Sequence, residues 1–297
     1  MLIFQAHNLL LDVIMLYIQL YPTAKLNLLR AYGKPSNENS LIFGKYRHLI
    51  NKLILDSGAW TLNNARNPQF KITLEGYIGY LRQVYQYFYF VMNLDKDFSK
   101  NGFVNNYSNQ CAIEEAGFET TPVVHDLQGD ELDFYIKRGH KTIAIGSGEL
   151  ERPDYDMLYP IFRKCYDQGV KIHTLGSVRY NPYAFMPVYS CDSSNWNQAG
   201  GRGYLFWWNR KKPGIDKTDR VFFEDHYPLT DGQVYFLKYD YQNDLERYLE
   251  SEMRLSYTAL MGNDRYLNRQ LANLHYYVEL EKRMTAKQRE LGFVFDD

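Results

Sequence analysis

Cysteine is scarce in this chain. The three present, Cys111, Cys165 and Cys191, have no paired spacing and no neighbouring histidine. That excludes a disulfide framework and a structural zinc site of the CxxC kind, and it fits a reducing, cytoplasmic setting. Long apolar runs are missing as well. The stretch from Leu9 to Leu20 is apolar but carries Asp12 and Gln19 and has no basic leader. A spanning helix needs about 20 apolar residues, so this stretch reads as a buried strand and helix, and neither a signal peptide nor a membrane anchor is expected. Nor does either sign of charge dominate: 34 Lys and Arg stand against 35 Asp and Glu, for a formal net charge of -1. Any hold on a polyanion must then come from a local patch, and the densest candidate is Arg202, Arg210, Lys211, Lys212, Lys217 and Arg220.

What is abundant is aromatic side chain, 16% of 297 residues with 27 tyrosines, in a chain that is otherwise ordinary for a globular protein at 45% hydrophobic and 23% charged. Tyrosine lines clefts for flat ligands, but it also fills cores, and the second account covers most of these residues. The length allows one large α/β barrel or two smaller domains.

The most informative pattern is a series of short apolar runs that end in polar residues: Leu53-Ile54-Leu55-Asp56, Phe90-Val91-Met92-Asn93-Leu94-Asp95, Pro122-Val123-Val124-His125-Asp126, Thr142-Ile143-Ala144-Ile145-Gly146 and Pro187-Val188-Tyr189-Ser190-Cys191-Asp192. Parallel strands buried on both faces read as continuous apolar runs, and closed α/β barrels gather their chemistry where such strands stop. Amphipathic stretches of helix length lie between the runs, at Leu74 to Tyr87, Cys111 to Gly117, Gly129 to Arg138 and Tyr155 to Gly169. With Leu2 to Gln5 and Lys171 to Gly176 as further strands, the alternation predicts a TIM-type (β/α)8 barrel over residues 1–240. An aromatic and basic insertion falls near 196–230, and a helical extension follows at 241–297. Gly200-Gly201-Arg202-Gly203 reads as a turn, Tyr204 to Trp208 as an aromatic strand, and Val234 to Tyr239 as a strand that completes or edges the sheet.

Each candidate residue has a plain structural account beside the chemical one. Asp56, in Leu55-Asp56-Ser57-Gly58-Ala59-Trp60, is either a helix N-cap or a carboxylate that accepts N–H bonds from a flat base under Trp60. Asp95 belongs either to an Asp-rich turn or to the same recognition. His125 and Asp126 serve as acid, base or ligand, or as satisfied structural groups. Gly146-Ser147-Gly148-Glu149 lets a backbone press on a ligand but is no phosphate loop. Asp192 is flanked by small polar residues and leads into the basic region. Cys191 beside it lacks a paired histidine, so thiol catalysis is disfavoured. No HxH or HExxH pattern occurs, which ranks a metal-dependent hydrolase low and leaves no metal site expected.

Taken in order, Asp56-Ser57-Gly58-Ala59, Asn93-Leu94-Asp95, Ile143-Ala144-Ile145-Gly146-Ser147-Gly148-Glu149, Leu175-Gly176-Ser177 and Tyr189-Ser190-Cys191-Asp192-Ser193 resemble the tRNA-guanine transglycosylase superfamily. The likeness is closer to its DpdA-like branch of phage and bacterial enzymes, which place 7-deazaguanines in DNA, and it spans about the first two thirds of the chain. It implies a barrel that exchanges guanine for a 7-deazaguanine of the preQ0 type without a cofactor. Asp192 matches the nucleophile that attacks C1′, Asp56 the group that moves protons at the base, and Asp95 the reader of its pyrimidine edge. His125 falls where the tRNA enzymes carry Gln, and Ser57, Gly146, Ser147, Gly148 and Gly176 border the base. Arg202, Arg210, Lys211 and Lys212 would hold phosphates, and Trp196, Trp207 or Trp208 would support a nucleotide out of its stack. The tRNA enzymes' C-terminal Cys/His zinc motif has no counterpart here, because no cysteine follows Cys191. DNA is therefore the preferred polymer over tRNA, with a homodimer or partner protein left open. An N-glycosidic hydrolase and a non-catalytic reader of modified bases are the two alternatives.

Overall fold

The computed structural model describes residues 1–6, 11–33, 44, 46–59, 72–99, 101–150, 154–224, 229–230 and 233–296. The chain forms two compact units, one of residues 1–9, 25–193 and 284–297, the other of 10–24 and 194–283.

The first unit is an α/β fold with an eight-stranded sheet. Its strands are β1 (Leu2–Ala6), β2 (Leu26–Ala31), β3 (Ile50–Asp56), β4 (Phe90–Val91), β5 (Val123–Val124), β6 (Thr142–Ile145), β7 (Lys171–Thr174) and β8 (Ser190–Ser193), in the order β4-β3-β2-β1-β8-β7-β6-β5. All pairings are parallel. Helices fill the crossovers that parallel pairing requires: α2 (Leu74–Val84), α3 (Gly102–Glu115), α4 (Glu131–Lys137) and α5 (Tyr155–Asp167). The crossover from β1 to β2 is α1 (Leu11–Leu20), which belongs to the second unit. The sheet curls. Past the end of β4, Met92 forms a parallel bridge with Thr121 just ahead of β5, with Thr121 N–H to Val91 O at 2.7 Å and Asn93 N–H to Thr121 O at 2.9 Å. A single buried cluster takes Phe4, Leu29, Ile54, Met92, Val123 and Ala144 from six of the strands or their ends, including both outermost ones. This agrees with the expected TIM-like architecture.

Most of the expected elements form where the apolar runs and helical periodicity place them, with instructive differences. β2 was not anticipated. Helix α3 begins at Gly102 rather than Cys111. The residues Gly200 and Gly201, expected as a turn, end a helix, α6 (Asn195–Gly201). Gly200 is required there because a Cβ would meet the Gln270 backbone nitrogen at 2.8 Å.

The second unit carries its own sheet, β9 (Tyr204–Trp208), β10 (Thr218–Phe222) and β11 (Gln233–Tyr235), in the order β11-β10-β9. The expected strand at Val234 to Tyr239 thus pairs with β10 here and turns into a 3-10 helix at Phe236, so it neither completes nor edges the large sheet. Helices α7 (Gln242–Met253), α8 (Tyr257–Met261) and α9 (Arg265–Glu290) follow, the last entering the first unit after Arg283. Asn273 of α9 ties helix to strand: its side chain accepts from Phe206 N–H at 2.8 Å and donates to Tyr204 O at 3.1 Å. Among the described residues no helix is long and apolar enough to cross a membrane.

Candidate active site

The sheet's register decides where the polar strand ends point. Side chains alternate along a strand, and residues opposite each other in a parallel pair share a face. Phe4 of the inner cluster lies opposite Asp192, Ala144 lies opposite Val123, and Leu29 lies opposite Ile54. Two residues beyond Ile54 stands Asp56, two beyond Val123 stands His125, and two beyond Ala144 stands Gly146. Asp56, His125, Gly146 and Asp192 therefore share the cluster's face, at or just past the C-terminal ends of their strands.

Asp95 sits four residues past β4 and is 5% exposed. Asparagines hold the backbone of its loop. Asn93 Nδ2 reaches Asn106 O at 2.8 Å, Asn106 Nδ2 reaches Asp97 O at 2.8 Å, and Asn109 Nδ2 reaches Leu94 O at 2.9 Å. The first residue of α3 must be glycine, since a Cβ on Gly102 would meet Asp97 O at 2.2 Å. So fixed, Asp95 receives Ser57 Oγ on Oδ1 at 2.8 Å and faces His125 Nε2 with Oδ2 at 3.1 Å. The carboxylate thereby joins the ends of β3, β4 and β5. The His125 backbone N–H is accepted by Glu131 Oε2 at 2.7 Å, from the first turn of α4, and Phe98 lies 5.1 Å from the imidazole. A Cβ on Gly146 would meet His125 Nδ1 at 2.8 Å, so the glycine makes room for this ring. Tyr77, wholly buried below, donates to Met92 O at 2.7 Å. Burial, then the charges of Asp56 and Asp95, push its phenol well above the ordinary range.

Asp192 is 6% exposed. Its Oδ1 accepts Gly176 N–H at 2.8 Å and lies 3.4 Å from His173 Nε2, while His173 Nδ1 lies 2.8 Å from Ser190 Oγ. Gly176 takes a positive φ of 63°, which favours glycine and turns its N–H onto the carboxylate. His173 escaped the sequence reading. Its signal was position: it lies two residues before Leu175 on the strand leading to Gly176, opposite Ala144 and so on the same face as the cluster. Asp126 performs the structural task instead, accepting Gln128 and Gly129 N–H in a turn. Ser147 and Gly148 open a 3-10 turn after β6, with Gly148 exposed. Trp60 lies outside the described residues.

The basic residues belong to the second unit. Arg202 and Arg210 are exposed. Lys211 pairs with Asp244 at 2.6 Å and Lys212 with Asp219 at 3.1 Å, so their charge is neutralised within the protein. Trp196, expected to support a nucleotide, is 1% exposed and belongs to the core. Cys191 is buried, and so is Cys165, whose thiol burial pushes up to about 12. Among the described residues no group of three or more His, Cys, Asp or Glu is placed to hold a metal ion. No family model, curated protein or solved structure matches this chain.

Proposed function

We propose that this chain is a nucleic-acid guanine transglycosylase, which exchanges guanine for a 7-deazaguanine base in DNA on a closed (β/α)8 barrel. The observation that carries the proposal is the meeting of face and edge: Asp56 and Asp192 share one face at the C-terminal ends of parallel strands, and the buried Asp95 stands at that same edge. This is where barrels of this kind build active sites. Closure is supported by the bridge between the two outermost strand regions and by the cluster that draws on both.

The chemistry follows from what each carboxylate already holds. Asp192 has Oδ1 engaged by Gly176 N–H, which leaves Oδ2 to add to C1′. As that bond forms, the C1′–N9 bond breaks, its electron pair goes to the base, and Asp56 supplies the proton. The incoming base loses its N9 proton to Asp56, attacks C1′ and restores the Asp192 carboxylate. Two displacements at one carbon retain configuration. Each carboxylate oxygen has two lone pairs, so Asp95 can hold Ser57 and His125 and still accept the N1–H and exocyclic N–H of guanine.

The test is incubation of the protein with guanine-containing DNA or tRNA and radiolabelled guanine or 7-deazaguanine, against Asp192→Ala. The proposal expects label in DNA with wild type alone. Cleavage without incorporation makes the chain an N-glycosidic hydrolase, and saturable binding without cleavage makes it a reader of modified bases.

A further inference from the structure

The second unit contains a cleft of about 550 Å3 that the proposed chemistry does not use. Its volume lies within the range of small-ligand sites, about 300–1,000 Å3. One wall is aromatic. Trp207 and Trp208 from the end of β9 stand with Tyr248 of α7 and with Tyr21, whose ring stacks on His275 at 4.9 Å and an interplanar angle of 7°. Trp207, 7% exposed, packs on Tyr239 and Tyr248, and Trp208, half-buried at the end of the strand, is the tryptophan that offers flat surface for another ring. Burial drives the His275 imidazole down to about 4, so near neutral pH it contributes an uncharged ring.

The charged groups of the cleft fall into two sets. Lys211 is paired with Asp244, and Glu279 with Lys282 at 2.6 Å and Arg283 at 3.7 Å. The Arg283 guanidinium also covers the Trp208 ring at 5.4 Å. Arg210 and Glu252, both exposed, make no ion pair among the described residues. One unneutralised guanidinium suits a phosphate, and one unneutralised carboxylate suits the N–H edge of a base. A ligand that is flat, anionic at one end and rich in N–H donors at the other satisfies wall and charges together.

We propose that this cleft is a nucleotide-binding site, with the base against the Trp208 ring, its N–H edge on Glu252 and its phosphate on Arg210. The bound group is either a free mononucleotide or one nucleotide of a strand. In the second case the inference deepens the base-exchange reading and rests on it.

The test uses the full chain, wild type and Asp192→Ala, so that binding is read without turnover. Tryptophan quenching is titrated with GMP, with ribose 5-phosphate, and with short single-stranded DNA and RNA containing guanine. Saturable quenching is expected, at least about tenfold weaker for ribose 5-phosphate than for GMP. Arg210→Glu and Glu252→Gln, both at exposed positions, are expected to weaken binding by about tenfold with an unchanged circular dichroism spectrum. For the strands, Arg210→Glu also lowers the slope of log affinity on log salt by about one. Tighter binding of strands than of GMP identifies the site as a strand holder, and equal binding identifies it as a mononucleotide site. Absence of quenching by every nucleotide, or variants that bind as wild type, overturns the proposal. Nucleotide binding at the cleft without label incorporation by wild type overturns base exchange alone, and incorporation with an inert cleft overturns this inference alone.

Discussion

His173 and Asp192 lie side by side on neighbouring parallel strands, Nε2 3.4 Å from Oδ1, with 0% and 9% of their side chains exposed. The imidazole is packed edge-on by Phe4 and Phe90, and its other nitrogen is held by Ser190. It has one position, and so has the carboxylate oxygen beside it. His173 is thus a positioning residue for the proposed nucleophile. His173→Phe keeps the ring and its packing but removes both polar contacts. Asp192 Oδ1 then keeps the Gly176 N–H, and loss of the second polar contact, about 0.5–1.5 kcal/mol, should slow covalent capture of the nucleic acid by about 2-fold to 13-fold. Single-turnover trapping of the adduct measures this. Binding of the free 7-deazaguanine should stay as in wild type, which a merely structural defect would not permit.

Gly146→Ala places a methyl group 2.8 Å from His125 Nδ1. The ring must shift, and with it the contact to Asp95. We expect KM for the base to rise by about tenfold, the effect of losing about 1.4 kcal/mol of uniform binding, with kcat little changed. Steady-state incorporation kinetics separate the two constants.

His275 ties stability to pH. Its imidazole is pushed by burial from the usual 6.5 down to about 4. Between these values the unfolded chain takes up a proton that the folded chain refuses. The stabilisation is therefore complete above pH 6.5 and is lost as pH falls toward 4, by up to about 3 kcal/mol. Urea denaturation across that interval should show the decline in wild type and a flatter curve in His275→Phe.

Gln288 sits near the end of α9 with its amide nitrogen 3.1 Å from Tyr183 O, 2.8 Å from Met186 O and 3.0 Å from Val188 O. It holds the segment that runs into β8 and so into Asp192. Gln288→Leu removes this donor from all three carbonyls, of which Met186 O keeps the Val188 N–H at 2.8 Å, and should cost about 1–3 kcal/mol, read as a lower Tm.

The strand ends were legible because apolar runs stopped at chemically distinctive residues: Asp56, Asp95, His125 and Asp192 each close such a run. β2 was hidden by Asn27 and Arg30, polar residues inside Leu26–Ala31. The fold tolerates both by pairing them, Asn27 with Asn51 at 2.9 Å and Arg30 with the Tyr80 hydroxyl at 3.0 Å, partners remote in sequence. The true start of α3 was hidden for a related reason. Asn106 and Asn109 interrupt its apolar pattern because they serve the Asp95 loop. His173 stands between Ile172 and Thr174 with no chemical pattern around it, and only its partner Asp192, on the next strand, gives it meaning.

Asp95 draws together Ser57 beyond β3 and His125 beyond β5, on the two sides of the place where a single bridge stands in for a ladder. Under the proposed function, selection on base recognition and selection on the integrity of the fold bear on the same two oxygen atoms. A lineage that changes which base is read cannot drift at position 95 alone. It must carry compensating changes at 57 or 125, and these three positions should be exchanged as a set.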